Sequence, residues 1–160
     1  MGTKDSEKTV AATGITGGPV EEIKAREIAL MEAKNHPDFV KNPRRILGFY
    51  DNSTVRHFDL HEMQLEGAAV GDMFDAVSPT FIGEATIHDV RVEADGSVGF
   101  ASLIENYVGH LRDSGEHVSL TFRMTHGWKK IDGQWLIVHE HWSYPVDAAT
   151  GLARIADPLP

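Results

Sequence analysis

Cysteine is absent from this chain, which removes disulfides, thiolate nucleophiles and cysteine-bound zinc together. No stretch of 18 apolar residues occurs, so no transmembrane helix and no membrane partner are expected. Basic side chains are scarce: 15 Lys and Arg stand against 24 Asp and Glu, a net charge of −9. That balance argues against nucleic acid, which needs a concentrated basic surface. The N-terminus lacks the basic-then-apolar layout of a secretory signal, and a cytoplasmic location is expected. Gly-rich phosphate loops, G-x-S-x-G elbows and EF-hand loops are missing as well. What remains is an ordinary globular composition, 41% hydrophobic and 24% charged, in 160 residues. That length suffices for one domain with a core and a cavity.

Residues 1–18 are small and polar and read as a flexible tail; 19–146 read as the domain, and 147–160 as a C-terminal extension. Pro19 suits a first helical position, with Glu21 and Glu22 in the favourable first turn. Val20, Ile23, Ile28, Leu30 and Met31 make an apolar stripe on a helix ending before His36-Pro37. A shorter helix starts at Asn42-Pro43 and buries Ile46, Leu47 and Tyr50. Residues 54–60 alternate like a strand, and 67–77 are weakly helical. Strands over 85–94, 97–111, 117–130 and 134–144 follow, separated by Asp-Gly and Asp-Ser-Gly turns. Helices followed by a meander describe an α+β domain. Strands this long must twist and coil, so a cone-shaped antiparallel sheet is expected to wrap the N-terminal helices around a small-molecule pocket.

The most informative stretch is the hairpin around Asp132-Gly133. A three-residue loop (Ile131 to Gly133) would pair Lys130 with Gln134 and set Met124 opposite Glu140. One face then carries Leu120, Phe122, Met124, His126, Leu136, Val138, Glu140, Trp142 and Tyr144. The other carries Thr121, Arg123, Thr125, Ile137, His139, His141 and Ser143. A two-residue loop would slip one strand and mix polar with apolar side chains. The favoured register leaves one His and one Glu on an apolar face, where acid–base chemistry becomes possible. A three-residue turn at Asp113-Ser114-Gly115 would add Ser102 opposite His126 and Asn106 opposite Phe122, with Asn106 able to donate to a developing oxyanion.

The run DGQWLIVHEHWS from Asp132 to Ser143, together with Arg123-x-Thr125 and the order of elements, resembles the SnoaL-like branch of the nuclear transport factor two-like superfamily over residues 20–146. Ketosteroid isomerases, scytalone dehydratase, polyketide cyclases and kinase association domains are relatives of that kind. The resemblance implies a cystatin-like cone, acid–base catalysis without cofactor or metal, and a homodimer. His57 matches by position the general-base aspartate of ketosteroid isomerases, with Asp59 two residues on. A slip by one would instead put Arg56 and Phe58 inside. Where kinase association domains carry a pocket arginine this chain has Ile104, so an anionic ligand held in that way is not expected.

The candidate catalytic residues are therefore His57, Asp59, His126 and Glu140, and the candidate pocket residues Phe100, Ser102, Asn106, Met124, Trp142 and Tyr144. Glu140, desolvated between Val138 and Trp142, is the sharpest of these. A bell-shaped pH profile is expected, and Glu140→Gln should cost activity with little effect on folding. His139 and His141 form an H-x-H pair on the opposite face, read as structural or as part of a dimer interface. The expected function is a lyase or isomerase acting on a small apolar or aromatic molecule by isomerisation, dehydration or elimination of a fragment such as formaldehyde. The alternative is a non-catalytic ligand-binding or oligomerisation module.

Overall fold

A computed structural model describes residues 17–61 and 64–156; the remainder of the expected tail, residues 1–16, and residues 157–160 lie outside it. Helix α1 (Pro19–Asn35) begins at the expected proline, has Glu21 and Glu22 in its first turn and Lys34 in its last, and ends before His36-Pro37. Its inward residues are Ile23, Glu27, Leu30 and Lys34, spaced i, i+4, i+7 and i+11. Ile28, expected on the apolar stripe, is 56% exposed instead. The second helix is a 3-10 turn, Pro43–Phe49, which buries Ile46 and delivers Tyr50 to the core. Then come β1 (Arg56–Phe58), β2 (Leu65–Glu66) and α2 (Ala68–Val77), followed by β3 (Phe81–Asp95), β4 (Val98–Leu111), β5 (His117–Ile131) and β6 (Gln134–Ser143).

These six strands form one sheet in the order β2-β1-β6-β5-β4-β3. The meander is antiparallel as expected, but β1 joins β6 in parallel, which brings His57 beside Glu140. The helices cover one face of the sheet, and the core lies between α1, the 3-10 turn and α2 on one side and the inward residues of β4, β5 and β6 on the other. Gly83 on β3 pairs Gly109 on β4, and the backbones lie close there: a Cβ on Gly109 would lie 2.2 Å from the Ile82 carbonyl oxygen, and one on Gly83 2.4 Å from that of Val108. Only glycine permits that approach.

Both turn registers differ from expectation. The Asp132-Gly133 loop has two residues, with both left-handed (φ 49° and 81°), so Ile131 pairs Gln134 and Lys130 pairs Trp135. Trp135 and Ile137 consequently point into the core, correcting the outward placement of Ile137. A bulge then restores the phase. Trp128 pairs Ile137, Gly127 pairs His139, and Val138 is the extra residue. Beyond it His126 faces Glu140 and Met124 faces Trp142, so the expected face is recovered with different partners. No such correction exists between β4 and β5. His110 pairs His117, Ala101 faces His126 and Asn106 faces Thr121. The buried face of β4 is therefore Ala101, Leu103 and Glu105, and Phe100, Ser102 and Asn106 lie on the other side. Past Ser143 the chain folds back. Val146 bridges Ala153, and the Thr121 N–H donates to the Ile155 carbonyl. No helix among the described residues is long and apolar enough to cross a membrane.

Candidate functional site

Three strands and one helix bring ionisable groups together in the core. His126 on β5 has Nδ1 2.9 Å from both oxygens of Glu27 on α1 and Nε2 2.9 Å from Glu140 Oε1 on β6. Both partners are carboxylates, which only accept, so both ring nitrogens carry hydrogen and the ring is an imidazolium. Trp128 Nε1 donates to Glu27 at 2.8 Å, and the Tyr50 hydroxyl donates to Glu140 at 3.3 Å. His57 Nδ1 lies 3.1 Å from Glu140 Oε2 but off the line of a hydrogen bond, so that contact acts through charge. His57 Nε2 lies 3.7 Å from Asp59 Oδ1, whose second oxygen accepts the His61 backbone N–H at 3.0 Å. His57, at the position where the alternative slip would have put Phe58, is fully buried; Arg56 is exposed and Phe58 packs on His139 and His141.

Electrostatics locks this network. Burial opposes the charge on His126, but the Glu27 charge and the hydrogen bonds to Glu140 and Glu27 raise it from 6.5 to about 10. Burial likewise opposes the Glu140 carboxylate, and the His57 charge and the His126 hydrogen bond hold it well below the usual range. Tyr50 is pushed up by burial and by the Glu140 charge. Neither Glu140 nor His126 is thus poised near neutrality, which counts against the bell-shaped profile expected from that pair.

Linkage gives the consequence for stability. The folded-state value of His126 lies above its unfolded one, so its contribution is complete below pH 6.5 and is lost as pH rises through about 10. Glu140 is depressed, so its contribution is present above pH 4.5 and is lost as pH falls through the folded value. The urea midpoint should be highest between about pH 4.5 and 6.5 and fall toward alkaline pH, with the alkaline limb missing in His126→Gln. A wild-type midpoint unchanged up to pH 10 would contradict the imidazolium assignment.

Above this network lies a cavity of about 310 Å³, within the range of small-molecule sites. Its apolar wall includes Phe39, Met73, Phe74, Phe122, Trp142 and Tyr144, and its polar lining includes Lys34, Glu105 and Asp59. Of the expected catalytic residues, Asp59 lines the cavity. His57, His126 and Glu140 are sealed behind it, with the Trp142 ring 4.8 Å from His57. Of the expected pocket residues, Trp142 and Tyr144 line it, and Met124 is buried core. Burial and then the Asp59 charge push the Tyr144 phenol up, placing that hydroxyl in the carboxylate's field. Phe100, Ser102 and Asn106 take no part: Phe100 is 44% exposed and Asn106 Nδ2 donates to the Leu120 carbonyl and Thr121 Oγ1. The one-residue slip of the β4–β5 register accounts for all three.

Glu27 and Tyr50 in the buried network and Lys34 and Glu105 on the cavity wall are positions that the strand patterns did not single out. A signal for two of them was present: Glu27 and Lys34 fall on the same helical stripe as Ile23 and Leu30, where a charge requires a buried partner.

A family model described as a SnoaL-like domain matches residues 65–147. An NTF2-like protein of unknown function from Pseudomonas putida KT2440 is 23% identical, with TM-score 0.73 over 88% of this chain and 96% of that one. A candidate dehydratase of the NTF2-like family from Streptomyces avermitilis is 18% identical, with TM-score 0.68 over 81% and 97%. The CaMKII association domain of C. elegans is 18% identical, with TM-score 0.62 over 77% and 93%. These likenesses show the fold. No curated protein matches the chain.

Proposed function

The chain belongs to the SnoaL-like domain family, and from that premise we propose that it is a cofactor-independent acid–base lyase or isomerase acting on a small apolar or aromatic molecule. The observation that carries this reading is Asp59: a carboxylate that lines an apolar cavity and lies 3.7 Å from His57 Nε2. Asp59 is the group that takes the substrate proton. His57, sealed behind the cavity, faces that carboxylate from within, with the charge of Glu140 3.1 Å from its other nitrogen, so it acts on the substrate only through Asp59. Glu27, His126 and Glu140 form the fixed floor that keeps this pair in place. The same two groups suit dehydration, isomerisation, or loss of a hydroxymethyl group as formaldehyde.

The test is absorbance spectroscopy on mixing the protein with aryl β-hydroxy ketones and hydroxymethyl-bearing aromatics, with released formaldehyde assayed in parallel. New conjugated absorption or formaldehyde at catalytic protein concentration is expected. Saturable binding of these compounds without turnover would overturn the enzymatic reading in favour of a ligand-binding module, which the sealing of His57 and Glu140 favours. A homodimer would pair through the outer sheet face around Arg123, Thr125, His139 and His141, a mixed polar surface able to bond across a two-fold axis. Sedimentation should give twice the chain mass at micromolar concentration, and a monomer there would refute it.

A further inference from the structure

One charged pair stands apart from the histidine–glutamate network. Lys34 Nζ donates to Glu105 Oε2 at 2.8 Å, with the two side chains only 8% and 5% exposed, and both residues line the cavity. No other Lys or Arg lines it among the described residues. An ammonium carries three N–H donors. Glu105 takes one, and no second acceptor on the described residues meets Lys34. Its nitrogen sits 5.4 Å from the centroid of the Trp142 ring, which is itself part of the cavity wall. Burial alone would discharge this lysine, but the Glu105 and Glu140 charges outweigh it and raise Lys34 above its ordinary value. Lys34 is therefore a donor, and neither a base nor an amine nucleophile.

Charge selects what those donors take. The ammonium is already neutralised by Glu105, Asp59 shares the same cavity, and beneath its floor the Glu27 and Glu140 carboxylates outnumber the His126 imidazolium between them. A ligand carboxylate would meet more negative charge than positive and would lose its hydration as well. An uncharged oxygen has neither handicap. We propose that Lys34, held by Glu105, is the oxygen-binding group of the cavity, and that its ligand is a flat apolar molecule bearing an uncharged carbonyl or hydroxyl oxygen. This deepens the acid–base reading and rests on it. When a proton leaves the carbon next to a carbonyl for Asp59, the electron pair moves onto the carbonyl oxygen. The Lys34 hydrogen bonds strengthen as that charge grows, and reprotonation returns the pair.

Three probes test the assignment: acetophenone, its isostere α-methylstyrene, in which CH₂ replaces the oxygen, and benzoate. By competition NMR the wild type should bind acetophenone about tenfold more tightly than either of the others. The carbonyl stretch of bound acetophenone should move to lower frequency. The double variant Lys34→Met/Glu105→Gln removes both charges together, leaving no lone buried ion. It should keep α-methylstyrene binding and lose both the preference and the frequency shift. A double variant that retains the preference, or a wild type that shows no carbonyl shift or favours benzoate, overturns the proposal. Asp59→Asn separates the two readings. If it keeps the acetophenone preference while the wild type turns over no β-hydroxy ketone, the oxygen site stands and the acid–base reading falls. A wild type that binds none of the three probes overturns both.

Discussion

Glu140→Gln should lower the free energy of unfolding by about 3–5 kcal/mol, the usual consequence of removing one partner from a buried ion pair. This reverses the expectation that the amide, being nearly isosteric, would fold unharmed. Glu140 is fully buried, accepts hydrogen bonds from His126 Nε2 at 2.9 Å and from the Tyr50 hydroxyl at 3.3 Å, and faces His57 at 3.1 Å. A Gln amide nitrogen would confront one of these donors, and the imidazolium would keep only Glu27 as counter-charge. Chemical denaturation at pH 6 is the measurement, because both the His126 and Glu140 contributions are complete there. An unchanged midpoint would mean that the network is far less coupled than its distances imply.

Asp59→Asn should show the opposite division of effects. Asp59 lines the cavity, an Asn side chain still accepts the His61 N–H, and the His57 contact it weakens is long at 3.7 Å, so the unfolding midpoint should fall much less than in Glu140→Gln. Loss of a general base lowers the rate by roughly 10²–10⁴, and that is the expected fall in kcat/KM on any β-hydroxy ketone or hydroxymethyl aromatic the wild type turns over. A folded Asp59→Asn protein with full activity would remove Asp59 from the proton transfer. The two variants together separate the floor of the site from its working surface: one should unfold early, the other should fold and stall.

Much of this was legible in the amino-acid order, and the misses have particular causes. The helix start at Pro19, the strand hairpins and the inward placement of His126, Glu140, Trp142 and His57 follow from periodicity and from the family pattern. Register did not follow, because a turn length and a bulge exchange one residue for another without altering local alternation. In β6 the bulge at Val138 compensated the two-residue turn, so Glu140 still faced inward. In β4 nothing compensated, and Ser102 and Asn106 were replaced on the inner face by Leu103 and Glu105. Glu27 and Lys34 were hidden differently: charged residues on a helix are ordinarily solvent-facing, and only their burial against His126 and Glu105 reveals their part.

The bulge in β6 also divides the hairpin into two independent reading frames. From Trp128 to Ile137 the closed tip follows the phase set by the Asp132-Gly133 turn, and from His139 onward the open end follows another. A tip of different length can be met by a different bulge before the change reaches the cavity floor. A single residue inserted between Val138 and Glu140 has no such buffer. It would rotate the acid out of the core and offer His139 in its place, so the composition of the cavity floor depends on a frame one residue wide.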